Sequence, residues 1–180
     1  MQQLKVLNSK EVKHIYELLE TQYGFTEKLD VVFMLSEKKE RVYIFTRDLA
    51  GVDLSKLHVD SMGLYFGTFF DNKLRLTIEG SQLIGPRCTK HVLDITRTEM
   101  QTWMMGEKLL LSQLEHKYEP EPGAFVILRY GTDYLGCGKI GGDLILNYIP
   151  KTRYIHALYD EVASSDDAPN APRQDLSDSE

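Results

Sequence analysis

Gly136-Cys137-Gly138-Lys139-Ile140-Gly141 decides how this chain folds, because the same six letters serve two opposed structures. A G-x-G-x-x-G run holds a dinucleotide when a helix opens directly behind it, since the helix N-terminus receives the pyrophosphate. Here Gly142-Asp143 and the β-prone run Leu144-Ile145-Leu146-Asn147-Tyr148 come next instead. The phosphate-loop pattern fails too: Asp133 stands where its first glycine belongs, and Lys139 is followed by Ile140 rather than Ser or Thr. A kinase glycine loop does lie in a hairpin, but the chain has neither H-R-D nor D-F-G. The glycines therefore read as points where a sharply bent barrel strand packs closely, and no cofactor is expected.

Working outward, Tyr134 to Ile140 reads as a strand broken by glycines, and Asp143 to Ile149 as the next. Before them, Ala124-Phe-Val-Ile-Leu-Arg-Tyr130 is a strongly apolar strand, led in by the rigid loop Glu119-Pro-Glu-Pro-Gly123. Further upstream, His91 to Thr96 reads as a strand. Thr96 or Thr98 then caps a helix through Glu99, Met100, Trp103 and Met104 that ends near Gly106. Short strands with glycine-rich turns predict a small barrel.

Gly85-Pro86 punctuates the chain and marks a domain boundary. Ahead of it, Ser9 caps a helix whose apolar stripe is Val12, Ile15, Tyr16, Leu18 and Leu19, closed by Gly24. Val31 to Leu35 and Arg41 to Thr46 form a hairpin around the charged link Ser36-Glu-Lys-Lys-Glu40. Met62 to Phe70 and Leu74 to Glu79 form another around Asp71-Asn72, with Leu74, Leu76 and Ile78 alternating with polar residues. The fold class is thus α+β: residues 1–86 an α+β domain, residues 87–158 a barrel, and residues 159–180 a disordered acidic tail.

The tail carries the charge. Of 27 acids and 21 bases in 180 residues, seven acids and one base lie between Tyr159 and Glu180, so the tail holds the whole net charge of −6. The body is neutral, and the low overall charge excludes no partner. Hydrophobic content of 42% is ample for a core. No apolar run reaches membrane-spanning length, and Met1-Gln-Gln-Leu-Lys5 has no signal-peptide core, so a cytoplasmic protein is expected. Cys88 and Cys137 make no framework and read as reduced core thiols. His14, His58, His91, His116 and His156 have no metal-like spacing, and no acid–base or nucleophile constellation stands out, so no enzyme is expected.

The second half resembles a PUA domain, the RNA-binding pseudo-barrel named after pseudouridine synthases and archaeosine transglycosylases. The resemblance rests on His91-Val-Leu-Asp-Ile-Thr96, on Trp103-Met-Met-Gly106-Glu-Lys108, on Pro122-Gly-Ala-Phe-Val-Ile-Leu128, and on Leu135-Gly-Cys-Gly-Lys-Ile140 with Ile145-Leu-Asn-Tyr148. Met62-Gly-Leu-Tyr-Phe-Gly-Thr-Phe69, Leu74 to Glu79 and Leu83-Ile-Gly-Pro86 resemble the end of the pre-PUA domain in a ribosome-biogenesis family. That family comprises a large-subunit rRNA-processing factor and its archaeal relatives; a similar pair ends some Sun-family RNA cytosine methyltransferases. The resemblance covers about residues 5 to 158. The chain departs from the pattern in its modest charge, the insert Leu109 to Pro122 and the acidic tail.

The resemblance implies a pre-PUA antiparallel sheet with helices followed by a PUA pseudo-β-barrel, and a monomeric, non-catalytic rRNA or tRNA binder in ribosome biogenesis. It implies an RNA cleft of Gly106 and Lys108, with Lys151 and Arg153 opposite, Lys139 nearby and Tyr154 able to stack a base or to pack the barrel. The residues themselves add a mild basic excess: residues 123–158 hold Arg129, Lys139, Lys151 and Arg153 against Asp133 and Asp143. In an extended segment Lys151 and Arg153 share a face, as an RNA surface or as a solvated basic edge. Trp103, Met100 and Met104 read as core. The alternative function is a protein-interaction module that supplies a PUA domain to an enzyme such as a cytosine-5 RNA methyltransferase, or docks another biogenesis protein.

Overall fold

A computed structural model describes residues 4–47, 63–119 and 121–155. The expectations for Met62, His58, His156 and the tail 159–180 lie outside the described residues.

The first sheet is antiparallel, with β1 (Lys5–Val6), β2 (Val31–Ser36), β3 (Arg41–Thr46), β4 (Leu64–Phe70) and β5 (Lys73–Leu76) in sequential order. Helix α1 (Ser9–Tyr23) lies between β1 and β2 and closes on Gly24 at φ 64°. Its cap is Asn8 rather than the expected Ser9. The Asn8 side chain accepts from the Lys10 and Glu11 amides while Glu11 accepts in return from Asn8 N–H. That reciprocal box satisfies donors the helix itself leaves open. Asp71 and Asn72, at φ 48° and 57°, make the tight turn from β4 to β5.

One expected strand stops early. Leu74 to Leu76 is extended, but Thr77 accepts from Gly80 N–H and opens α2 (Ile78–Ile84). The alternation Leu74-Leu76-Ile78 therefore crosses from a strand into a helix. Helix α2 lies close on the sheet: a Cβ at Gly80 would stand 2.1 Å from the Phe66 carbonyl oxygen. Gly85–Arg87 continues as a 3₁₀ turn.

The second sheet curls into a half-barrel of order β6-β8-β9-β10-β7. Its strands are β6 (Val92–Asp94), β7 (Leu109–Leu110), β8 (Phe125–Tyr130), β9 (Asp133–Gly141) and β10 (Leu144–Asn147). β6 pairs β8 in parallel, and the other pairs are antiparallel. Helix α3 (Arg97–Met104) is capped by Thr96, with Glu99 completing the box. The start of the expected insert, Leu109–Leu110, supplies the edge strand β7.

The six-residue glycine stretch lies in β9 and leads into a turn and β10, not a helix. Gly138 has a packing reason: a Cβ there would meet Ile145 Cγ2 at 2.3 Å and the Trp103 ring at 3.0 Å. Trp103 is fully buried and donates from Nε1 to the Leu135 carbonyl oxygen at 3.0 Å. Its core assignment is borne out.

The apolar run of β8 belongs to two cores. Phe125 and Ile127 pack with Ile15, Tyr23 and Phe66 of the first half, joined there by Tyr134 and Cys137. Val126 and Leu128 pack with Ile95, Trp103 and Ile145 inside the half-barrel. A strand buried on both faces needs no polar alternation. Tyr23 fastens the junction, donating from its hydroxyl to the Leu74 carbonyl oxygen at 2.7 Å, with Cys137 Sγ at 3.6 Å. Both cysteines are free thiols. Burial pushes the Cys137 thiol up and carries that of Cys88 to about 12.

Candidate nucleic-acid interface

A groove of about 380 Å³ opens between the first sheet and the chain leaving β10. Its first wall comes from β4, β5 and the start of α2. With Leu74 and Leu76 turned into the core, Arg75 faces outward by the strand period of two. Tyr65 stands beside it on β4, and Glu79 comes from the first turn of α2. The second wall is Tyr148, Ile149, Pro150 and Arg153, with Gly136 and Cys137 of β9 between the walls.

Two charged contacts span the groove. The Arg75 guanidinium carbon lies 4.6 Å from the centre of the Tyr148 ring. Arg153 Nη2 lies 2.5 Å from Glu79 Oε1. Tyr65 extends the site onto the outer face of the sheet. A bulge between Val42 and Tyr43 sets Tyr43 opposite Tyr65, and the two rings stack at 5.4 Å and 30°. Arg41 lies over the Tyr65 ring at 5.2 Å. Arg75, Arg153, Tyr65 and Tyr148 thus line the groove, and Arg41 and Tyr43 adjoin it through the Tyr65 ring. Guanidiniums neutralise phosphates, and aromatic or guanidinium planes stack unpaired bases.

The six residues expected from the sequence are divided among three places. Gly106 and Tyr154 come together, but the Tyr154 ring itself occupies the space above Gly106: a Cβ there would meet it at 2.1 Å. Gly106, at φ 89°, admits this chain's own tyrosine rather than an open approach. The Ile155 amide donates to the Met104 carbonyl oxygen and holds that segment on the end of α3. Lys108 is exposed nearby.

Lys151 and Arg153 are not in a strand. They belong to a 3₁₀ turn, Lys151–Arg153, so the period-two argument for a shared face does not apply. Pro150, which cannot donate to a ladder, precedes that turn. Arg153 enters the groove and Lys151 is exposed.

Lys139 sits elsewhere, 4.4 Å from the Phe70 ring centre and 3.5 Å from Asp71 Oδ2. Arg129 is held by Asp94, whose carboxyl its hydrogen bonds keep below the usual range. The basic excess of residues 123–158 is therefore dispersed, not pooled.

Arg41, Tyr43, Tyr65, Arg75 and Tyr148 were not expected. Alternation in Leu74-Arg75-Leu76 and in Arg41-Val42-Tyr43 carried the signal for an outward Arg–Tyr face. Tertiary packing alone joins that face to Tyr148.

No family model matches the chain, and no curated protein matches it. Among solved structures, the chain is similar to a conserved PUA domain protein from Thermoplasma acidophilum. The TM-score is 0.55 at 10% sequence identity, over 78% of this chain and 82% of that one. The likeness shows the fold: an α+β chain of PUA type.

Proposed function

We propose that this chain is a non-catalytic RNA-binding protein that works as an accessory in rRNA processing and ribosome biogenesis, in the cytoplasm and as a monomer. The observation that carries the proposal is the groove at the junction of the sheets, where Arg75 lies over Tyr148 and Arg153 enters beside Glu79. A PUA-type fold and the resemblance of both halves to a pre-PUA and PUA pair support the same reading. The groove suits single-stranded or splayed nucleotides, because its cations are interleaved with rings rather than spread over a flat face.

The test is fluorescence anisotropy with labelled rRNA fragments and tRNA across a salt series. The double variant Arg75→Ala with Arg153→Ala is expected to bind about ten-fold more weakly, with the logarithmic salt slope reduced by about 1 to 2. Unchanged affinity and slope overturn the assignment of this groove. Failure of every RNA to bind, with a protein recovered at equal stoichiometry, favours the interaction-module reading instead.

A further inference from the structure

We propose that the groove reads a single unstacked guanine through Glu79; this inference rests on the RNA-binding reading above and names the base that the same site selects. A cavity of about 380 Å³ lies at the small end of ligand pockets. A space of that size suits a single nucleotide. A pure phosphate site would be built from donors, yet here a carboxylate lines the wall. Glu79 side-chain exposure is 29%, so it reaches the groove without being freely solvated.

Its chemistry selects the base. Ionised glutamate only accepts hydrogen bonds, through two oxygens with about four lone-pair positions. Oε1 already takes one bond from Arg153. That bond orients the carboxylate and leaves Oε2 and the remaining lone pairs for a ligand. Guanine presents two adjacent donors, N1–H and the N2 amino group, which match a carboxylate's two oxygens. Adenine and cytosine each offer one amino group beside a ring acceptor that a carboxylate repels. Uracil offers one N–H between two carbonyls.

The surrounding groups complete the fit. The Arg75–Tyr148 pair offers a flat face for a base, and Arg153 next to Glu79 is placed for the adjoining phosphate. Gly136 lies in the wall, where a Cβ would crowd Ile78 at 3.2 Å, and its φ of 88° disfavours any other residue.

The experiment compares labelled single-stranded uridine pentamers whose middle base is guanine, inosine, adenine or cytosine, bound to the full chain. Inosine keeps N1–H and lacks the N2 amino group. Guanine is expected to bind about ten-fold tighter than the other three, and Glu79→Gln to bring all four within about two-fold of one another. Glu79→Gln keeps the side chain's shape, and an unchanged circular dichroism spectrum establishes that it folds. Equal binding of the four pentamers to the unmodified chain overturns the guanine reading, as does a preference that survives Glu79→Gln intact. If the pentamers bind equally yet Arg75→Ala with Arg153→Ala abolishes binding, only the guanine reading falls. If that double variant changes nothing for any RNA, the RNA reading of the groove falls with it.

Discussion

The two sheets solve burial differently. In the first sheet Val42 and Ile44 face the larger core, while the opposite side mixes Arg41 and Tyr43 with the buried Met34 and Phe45. In the second, β8 is buried on both faces, its odd positions serving one core and its even positions the other. The difference teaches where the site can form. The outer face of the first sheet carries arginine and tyrosine beside its buried Met34 and Phe45, whereas β8 carries apolar residues on both faces. The groove forms where the outer side of the first sheet meets the chain that leaves the second.

The comparison can be broken most sharply at β8. Phe125→Ala removes a fully buried ring from the first core and is expected to cost about 3 to 5 kcal/mol. Trp103, the sole tryptophan, sits in the other core and reports on it separately. In urea titrations, its fluorescence and the far-ultraviolet circular dichroism are expected to shift to lower denaturant together. A Trp103 transition left in place would show that the cores unfold independently and that β8 does not couple them.

Gly138→Ala probes the half-barrel alone. The added methyl meets Ile145 and Trp103, and the expected loss is about 1 to 3 kcal/mol by the same titration. A neutral result would show that β9 can move away from α3.

The smallest effect is at the junction. Tyr23→Phe deletes the hydroxyl bonded to the Leu74 carbonyl oxygen and is expected to cost about 1 kcal/mol at neutral pH. Its pH dependence sharpens the point. Burial raises the phenol well above its ordinary value of 10.0, so the native state keeps its proton where the unfolded chain loses it. Stability from this group is full below pH 10 and falls as pH rises above it. The urea midpoint of Tyr23→Phe is therefore expected to decline less steeply above about pH 10 than that of the unmodified chain.

Much of this fold is legible in the residues. The helix at 9–23, the paired strands at 31–36 and 41–46, and the helix capped by Thr96 arise from caps and periodicity. The glycine stretch is legible as part of a hairpin because the run behind it, Leu144 to Tyr148, is β-prone. Helix α2 is not, because Leu74, Leu76 and Ile78 keep period two across a change of structure that only the Thr77 cap signals. The site is legible in part. Arg153 is expected from the sequence opposite Gly106 and Lys108, but it lines this groove, which neither of those residues lines. Lys151 shares its face only in an extended strand, and Pro150 with the turn behind it removes that premise. The Arg75–Tyr148 contact joins residues 73 positions apart, and no local pattern encodes it.

The double allegiance of β8 also sets an order of events during synthesis. The first half is complete in sequence at Gly85, but its core still lacks Phe125, Ile127, Tyr134 and Cys137. At typical elongation rates those residues are added over roughly 3 to 10 seconds after Gly85. Throughout that interval Ile15, Tyr23 and Phe66 have an uncovered side. The first core can therefore close only once β8 and β9 have emerged.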